Sequence, residues 1–313
     1  MRSDLRSDPA APAGAPPRRR IRFGEQERFM LALVLPAFLI LVLFQVVPIV
    51  IGANASFRSW ALYDPKKTWV GLANYLKVFD DRVFYSLVLP NTLGFVVCSV
   101  ALSLAAGLAL ALLLNRSFRG EPVLRTLILL PLMVAPVIAA IMIRWMFNDQ
   151  FGIVNVVLSA LGLPAPAWLA NRWASLLIIV LTDVWLWAPW FTIILLAALK
   201  SLPKEPFEAA SIDGATRWRT FRYITLPMLR PVLVVTIVIR AIDAFRVFDI
   251  VWTISGGGPA RSTEMFSVYA FQEAFIAYDF GRGSAVALIG AAIIMVLGVL
   301  LYRSMNRFIE VSR

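Results

Sequence analysis

Long apolar runs alternate with shorter polar stretches along this chain. A membrane helix needs about 20 mostly apolar residues to cross about 30 Å of hydrocarbon. Residues 29–53, 87–114, 124–147, 173–199, 229–252 and 283–303 meet that requirement. The pattern predicts an all-α integral membrane protein with six transmembrane helices. The first run is longer than a signal-peptide core and lacks a small-residue cleavage site, so it is expected to be retained. Residues 1–22, rich in Pro, Ala and Arg, cannot build a core and read as a disordered cytoplasmic tail. Residues 23–313 then form one transmembrane domain. No internal repeat stands out, which speaks against the repeat-built secondary transporters.

The polar stretch between the fourth and fifth runs carries helix signals of its own. Pro203 and Pro206 suit a first turn, where an amide hydrogen has no partner anyway. Phe207-Glu-Ala-Ala-Ser-Ile supplies good helix formers, and Asp213-Gly214 closes the helix because glycine accepts left-handed backbone. Thr216 is placed to cap a second helix that Pro227 is expected to end. Trp218 and Phe221, three residues apart, share a face. The spacing predicts a helix–turn–helix with an acidic first end and an aromatic, basic second half. Two readings stay open on spacing alone: a loop lying on lipid headgroups, or a docking element for another protein. Glu205, Glu208 and Asp213 argue against an anionic lipid surface as the partner of the first helix.

Composition sharpens this picture. Of 313 residues, 60% are hydrophobic and the mean hydropathy is +0.77, well above the roughly 45–50% apolar content of soluble domains. Histidine is absent, which removes imidazole metal sites and histidine-activated nucleophiles. Cys98 is the single cysteine, expected as a small buried hydrophobe. No metal site and no covalent chemistry are expected. The net charge of +11 is read as setting membrane orientation rather than attracting nucleic acid. With the N-terminus inside, nineteen Lys and Arg fall in cytoplasmic segments and eight outside, which favours both termini in the cytoplasm.

Span five carries Arg240, Asp243, Arg246 and Asp249, spaced by three and alternating in sign. Each lipid-facing charge costs about 2.5–3.5 kcal/mol at the bilayer centre. Four cost roughly 10–14, against about 3–6 returned by ten Leu, Ile and Val. These side chains are therefore expected to pair, to face the bundle interior or to sit near an interface. They form either a salt ladder between helices or, as Asp243, Arg246 and Asp249, a polar lining for a hydroxylated ligand. Asp183 in span four permits the same lining, and Trp187 beside Pro189 is a candidate ring for stacking on a sugar. Arg144 in span three reads as a snorkelling or pairing arginine.

The pattern Glu208-Ala-Ala-x-x-Asp-Gly-Ala, with Phe221, Leu226-Pro227 and Pro231, resembles the EAA loop of ABC importer permeases. Asn91-Thr92, Leu129-Leu-Pro131, Trp145-Met-Phe-Asn148, Gly152-Ile-Val-Asn155, Phe248-Asp249, Gly256-Gly-Gly-Pro259 and Ser262-Thr263 extend the likeness over nearly all of 29–303. Together they are similar to the carbohydrate-uptake group, most of all to the first-named permease of the maltose, glycerol-phosphate and trehalose importers.

The resemblance implies a cytoplasmic coupling helix in the loop 200–228 that seats in a separate ATPase, with Glu208, Ala209, Ala210, Asp213 and Gly214 holding its geometry. It implies a second homologous permease, two ATPase subunits that use ATP and Mg, an extracytoplasmic substrate-binding protein and a bacterial inner-membrane setting among lipid. This chain itself binds no cofactor on that reading. It lacks G-x-x-x-x-G-K-[ST] and is not its own ATPase. The outer loop 54–86 and residues 256–263 are candidate contacts for the binding protein. An ion-gradient-driven secondary transporter is the alternative, since Asp183, Asp243 and Asp249 supply intramembrane carboxylates.

Overall fold

A computed structural model describes residues 24–63, 66–116 and 118–310. The tail read over 1–22 lies outside the described residues. The elements that position the site are, in chain order, α1 (Ala32–Ser56), α2 (Ala73–Phe79), α3 (Phe84–Leu114), α4 (Glu121–Met133), α5 (Pro136–Met146), α6 (Ile153–Ala160), α7 (Arg172–Ser201), α8 (Glu205–Ile212), α9 (Arg217–Phe245), α10 (Asp249–Ser255), α11 (Phe266–Phe271) and α12 (Phe280–Glu310). Five of them are long and apolar enough to cross a membrane, and the bent pair α4–α5 passes the same test only when its two helices are taken together, as a broken span or a re-entrant loop. The chain divides after Ile51 into two units, and the helix seam and the sites lie in the second.

Its centre is the α3–α7 seam. Phe95, Ala111 and Leu114 of α3 are buried with Ile179, Phe191 and Leu195 of α7. Small residues make the approach close: a Cβ on Gly107 would stand 2.4 Å from Phe191 Cβ, and Ser99 and Ser103 of the same helix are fully buried. Membrane helices gain little from apolar burial against each other, so close backbone packing takes over that role.

Three expectations about the spans are corrected. The third apolar run does not form one straight helix: α4 and α5 meet at 96°. Two prolines cause the break. Pro131 sits in a 3-10 turn over Leu130–Met133, and Pro136 opens α5 while Ala135 before it is extended at ψ 136°, the conformation proline imposes on its predecessor. In addition, Pro227 ends nothing. The helix from Arg217 continues through it to Phe245. A π-turn over Phe221–Thr225 precedes it, and the looser i→i+5 bonding there absorbs the missing proline donor. Span five also stops earlier than 252. Arg246, Val247 and Phe248 interrupt the helix before α10 begins, so its last charges lie at a break and not inside a continuous apolar helix.

Cys98 is likewise exposed rather than buried. It lies on the outward face of α3, in an apolar groove beside Leu102 and Leu177.

Candidate functional site

Where α9 ends, five charged side chains converge. Arg240 on α9 and Asp183 on α7 form an ion pair at the α7–α9 contact, and they are 2% and 1% exposed. The Ser99 hydroxyl of α3 donates to the same Asp183 oxygen. Arg240 also donates to Asp243 Oδ2 at 3.1 Å, and Arg246 reaches Asp243 Oδ1 at 3.3 Å. The Arg240 guanidinium lies 4.7 Å from the centre of the Trp187 ring, a cation–π contact that covers one ring face. A buried charge is tolerated only when paired and hydrogen-bonded; both terminal nitrogens of Arg240 are engaged, while its buried Nε has no hydrogen-bond partner among the described residues.

The pairs border a cavity of about 360 Å³. Asp183, Trp187, Asp243, Arg246 and Asp249 all line it, with Arg240, Pro136 and Phe248. All five pathway residues expected from the sequence therefore meet in one place. The ladder and the lining turn out to be one structure with two sides. Asp183–Arg240 forms its inner, anchored side. Arg246 and Asp249 are exposed at its open side, and Asp249 makes no ion pair among the described residues. Arg240, Ser99 and Pro136 were not expected at the site; Arg240 stood in the alternating series, but its partner 57 residues away did not show in it. Arg144 keeps away and donates to the Thr253 carbonyl at 2.9 Å, as a pairing arginine does.

On the other polar face, the helix–turn–helix forms as spacing predicts. Pro206 is in the first turn of α8. Gly214 takes φ +69°, and Ala215 N–H closes the turn on the Ala210 carbonyl at 2.9 Å, a glycine-ended helix terminus. Thr216 Oγ1 accepts from Arg219 N–H, and the Trp218 and Phe221 rings lie 5.7 Å apart. Ala210 is buried, whereas Glu208, Ala209, Asp213 and Gly214 are exposed. Ile212 is 87% exposed and Trp218 70%. An ordered helix pair thus presents carboxylates beside uncovered apolar side chains.

A third feature had no counterpart in the sequence reading. Glu273 forms ion pairs with Arg261 at 3.5 Å and with Arg282 at 3.4 Å, while Arg282 also bonds Asp81 and the Tyr269 hydroxyl. Arg261 holds the fully buried Glu264 at 2.9 Å. Burial pushes the Tyr269 hydroxyl well above its usual range, and its donated bond to Asp81 adds to this. Burial opposes ionisation of Asp81, but bonds from Tyr269 and the Val83 amide and the Arg282 charge outweigh it and hold the carboxyl low. Burial raises Glu264, with Arg261 offsetting part. Asn91 ties this region to α3: it donates to the carbonyls of Ser262 at 2.9 Å and Glu264 at 3.0 Å, and Thr92 accepts from Phe266 N–H.

A polar cavity at a helix break within a bundle of membrane helices, together with an ordered polar helix pair, is an arrangement of transport proteins. Residues 103–310 match the family model described as binding-protein-dependent transport system inner membrane component. The chain belongs to that family. It is a multi-pass membrane transport component and not an enzyme. It is 37% identical over 277 residues to the trehalose/maltose transport system permease protein MalF of Thermococcus litoralis, covering 88% of this chain and 92% of that one. It is 34% identical over 271 residues to the sulfoquinovosyl glycerol transport system permease protein SmoG of Agrobacterium fabrum, covering 86% and 88%. A bacterial ABC transporter involved in import of the acidic polysaccharide alginate shares the fold at TM-score 0.81 and 24% identity, over 90% of this chain and 96% of that chain. The resemblance to carbohydrate-uptake ABC permeases is borne out by these relatives, and nothing in them supports an ion-gradient-driven carrier.

Proposed function

We propose that this family member carries a carbohydrate through the membrane as one of two related permeases in an ATP-driven importer. The observation that carries the reading is the cavity at the end of α9, where Asp243, Arg246 and Asp249 offer donors and acceptors to hydroxyl groups and Trp187 and Phe248 offer ring faces. The relatives named for trehalose, maltose and a sulfoquinovosyl glycerol support it.

The exposed α8–Gly214–Thr216 unit is the handle for a separate ATPase pair, which uses ATP and Mg; Glu208, Ala209, Ala210, Asp213 and Gly214 set its shape. A rigid helix pair joined directly to α9 transmits motion of the ATPase to the cavity, and closure of the two ATPase halves then favours one access state. The continuous helix from Arg217 to Phe245 supports that lever. The substrate arrives from a soluble binding protein at the outer face, and both termini lie in the cytoplasm of a cell whose inner membrane holds the complex.

The test is uptake in proteoliposomes holding both permeases and the ATPase. Transport that needs ATP and the binding protein, and survives ionophores, agrees with the reading. Transport by this chain alone, driven by a proton or sodium gradient, contradicts it.

A further inference from the structure

We propose that the cavity at the end of α9 sorts cargo by charge: it admits neutral or amine-bearing sugars and repels anionic ones, with Asp249 as the deciding group. This rests on the carbohydrate-pathway reading above.

The lining holds three carboxylates, Asp183, Asp243 and Asp249, against two guanidiniums, Arg240 and Arg246. The guanidiniums are already engaged. Arg240 is shared between Asp183 and Asp243 and is 2% exposed. Arg246 is open to the cavity but bonded to Asp243. Recognition of a carboxylate, sulfonate or phosphate calls for a guanidinium fork free to take two oxygens; the buried Arg240 has none to spare, and the exposed Arg246 could turn one to an anion only beside the carboxylates of Asp243 and Asp249 in the same lining. Asp249 keeps an exposed carboxylate with no ion pair among the described residues. The formal balance of this chain's share of the lining is thus one negative charge, and it sits where cargo passes. A confined polar site concentrates counter-ions and excludes co-ions. A transporter of this fold belongs to an importer of an acidic polysaccharide, so the fold does not set the sign; these side chains do.

The test uses the assembled complex in detergent, with Cys98→Ser removing the single native thiol and Val247→Cys placing one in the cavity wall (Phe248→Cys if that variant does not assemble). Rates of modification by a cationic trimethylammonioethyl and an anionic sulfonatoethyl methanethiosulfonate are each divided by the rate with a free thiol. The expected preference for the cation is about tenfold or more, falling towards unity in Asp249→Asn. A ratio near one in the parent, a preference for the anion, or no response to Asp249→Asn overturns the proposal. Maltotriose and trigalacturonate are then compared as protectants. Slowing by maltotriose alone supports the proposal, and equal slowing by both overturns it. Slowing by neither, beside a cation-favouring ratio, counts against the carbohydrate reading and leaves the sign of the cavity established.

Discussion

Arg240 and Asp183 pair across the α7–α9 contact with both side chains 2% exposed, and the same arginine carries the contact on to Asp243 at the cavity edge. The helix that continues from the turn at Gly214 is thereby fixed to the helix that lines the cavity from the other side. Anchor and lining share one guanidinium.

Breaking that pair on one side is expected to destabilise strongly. Asp183→Ala leaves a buried guanidinium with Asp243 as its one remaining counter-charge, at a cost of about 3–5 kcal/mol. Replacing both partners, as Asp183→Leu with Arg240→Met, is expected to recover most of this, because two desolvated charges leave together. Thermal unfolding of the purified complex checks both. Equal loss in the single and double variants would show that the pair is not what holds the contact.

The open side of the cavity behaves differently. Arg246→Ala and Asp249→Asn remove exposed groups and are expected to leave assembly intact while lowering uptake about tenfold, the scale of one charged hydrogen bond lost. Uptake and co-purification measured on the same samples decide this. Loss of the assembled complex would return these residues to a structural role.

The turn between α8 and α9 depends on Gly214 at φ +69°. A β-branched residue there costs roughly 1–2 kcal/mol of backbone strain, and Gly214→Val is expected to lower ATP-coupled uptake or ATPase retention while the membrane helices fold normally. Gly214→Asn, which tolerates this backbone region, is expected to retain most of both. Indistinguishable behaviour of the two variants would mean the turn geometry is not the requirement.

The cluster of Asp81, Glu264, Tyr269 and Arg282 predicts a pH response. The folded Asp81 carboxyl lies below its ordinary value, so its contribution is complete above the ordinary carboxylate range and is lost as pH falls through the lower folded value. Glu264, raised by burial, works in the opposite sense. The stability difference between parent and Asp81→Asn is therefore expected to shrink as pH drops from 6 towards 3. A difference independent of pH over that range would show that the Asp81 charge is not part of the tether.

Much of this was legible in the sequence because it is local. Apolar run length gives the crossings, and Asp213-Gly214 followed by Thr216 gives the loop geometry. The kink at 134–136 was readable in Pro131 and Pro136, but a continuous apolar count hides it. Pro227 misled because the π-turn over Phe221–Thr225 lets the helix pass, and residue type alone does not announce such a turn. The ion pairs Asp183–Arg240 and Asp81–Arg282 join positions distant in the chain, and one sequence carries no signal for which charge meets which. Cys98 faces outward because which side of a wholly apolar helix is buried depends on its neighbours, and hydrophobicity alone does not mark it.

The claim that most of the account stands on is that α8 is the surface gripped by the ATPase. Ile212, 87% exposed between Ala210 and Gly214, is the place to probe it. In a Cys98→Ser background, Ile212→Cys should form a short-range cross-link to the ATPase in native membranes, with a yield that Glu208→Lys reduces and that changes when ATP is bound. An assembled, transporting complex in which Ile212→Cys never cross-links to the ATPase, and in which Glu208→Lys is silent, would contradict it.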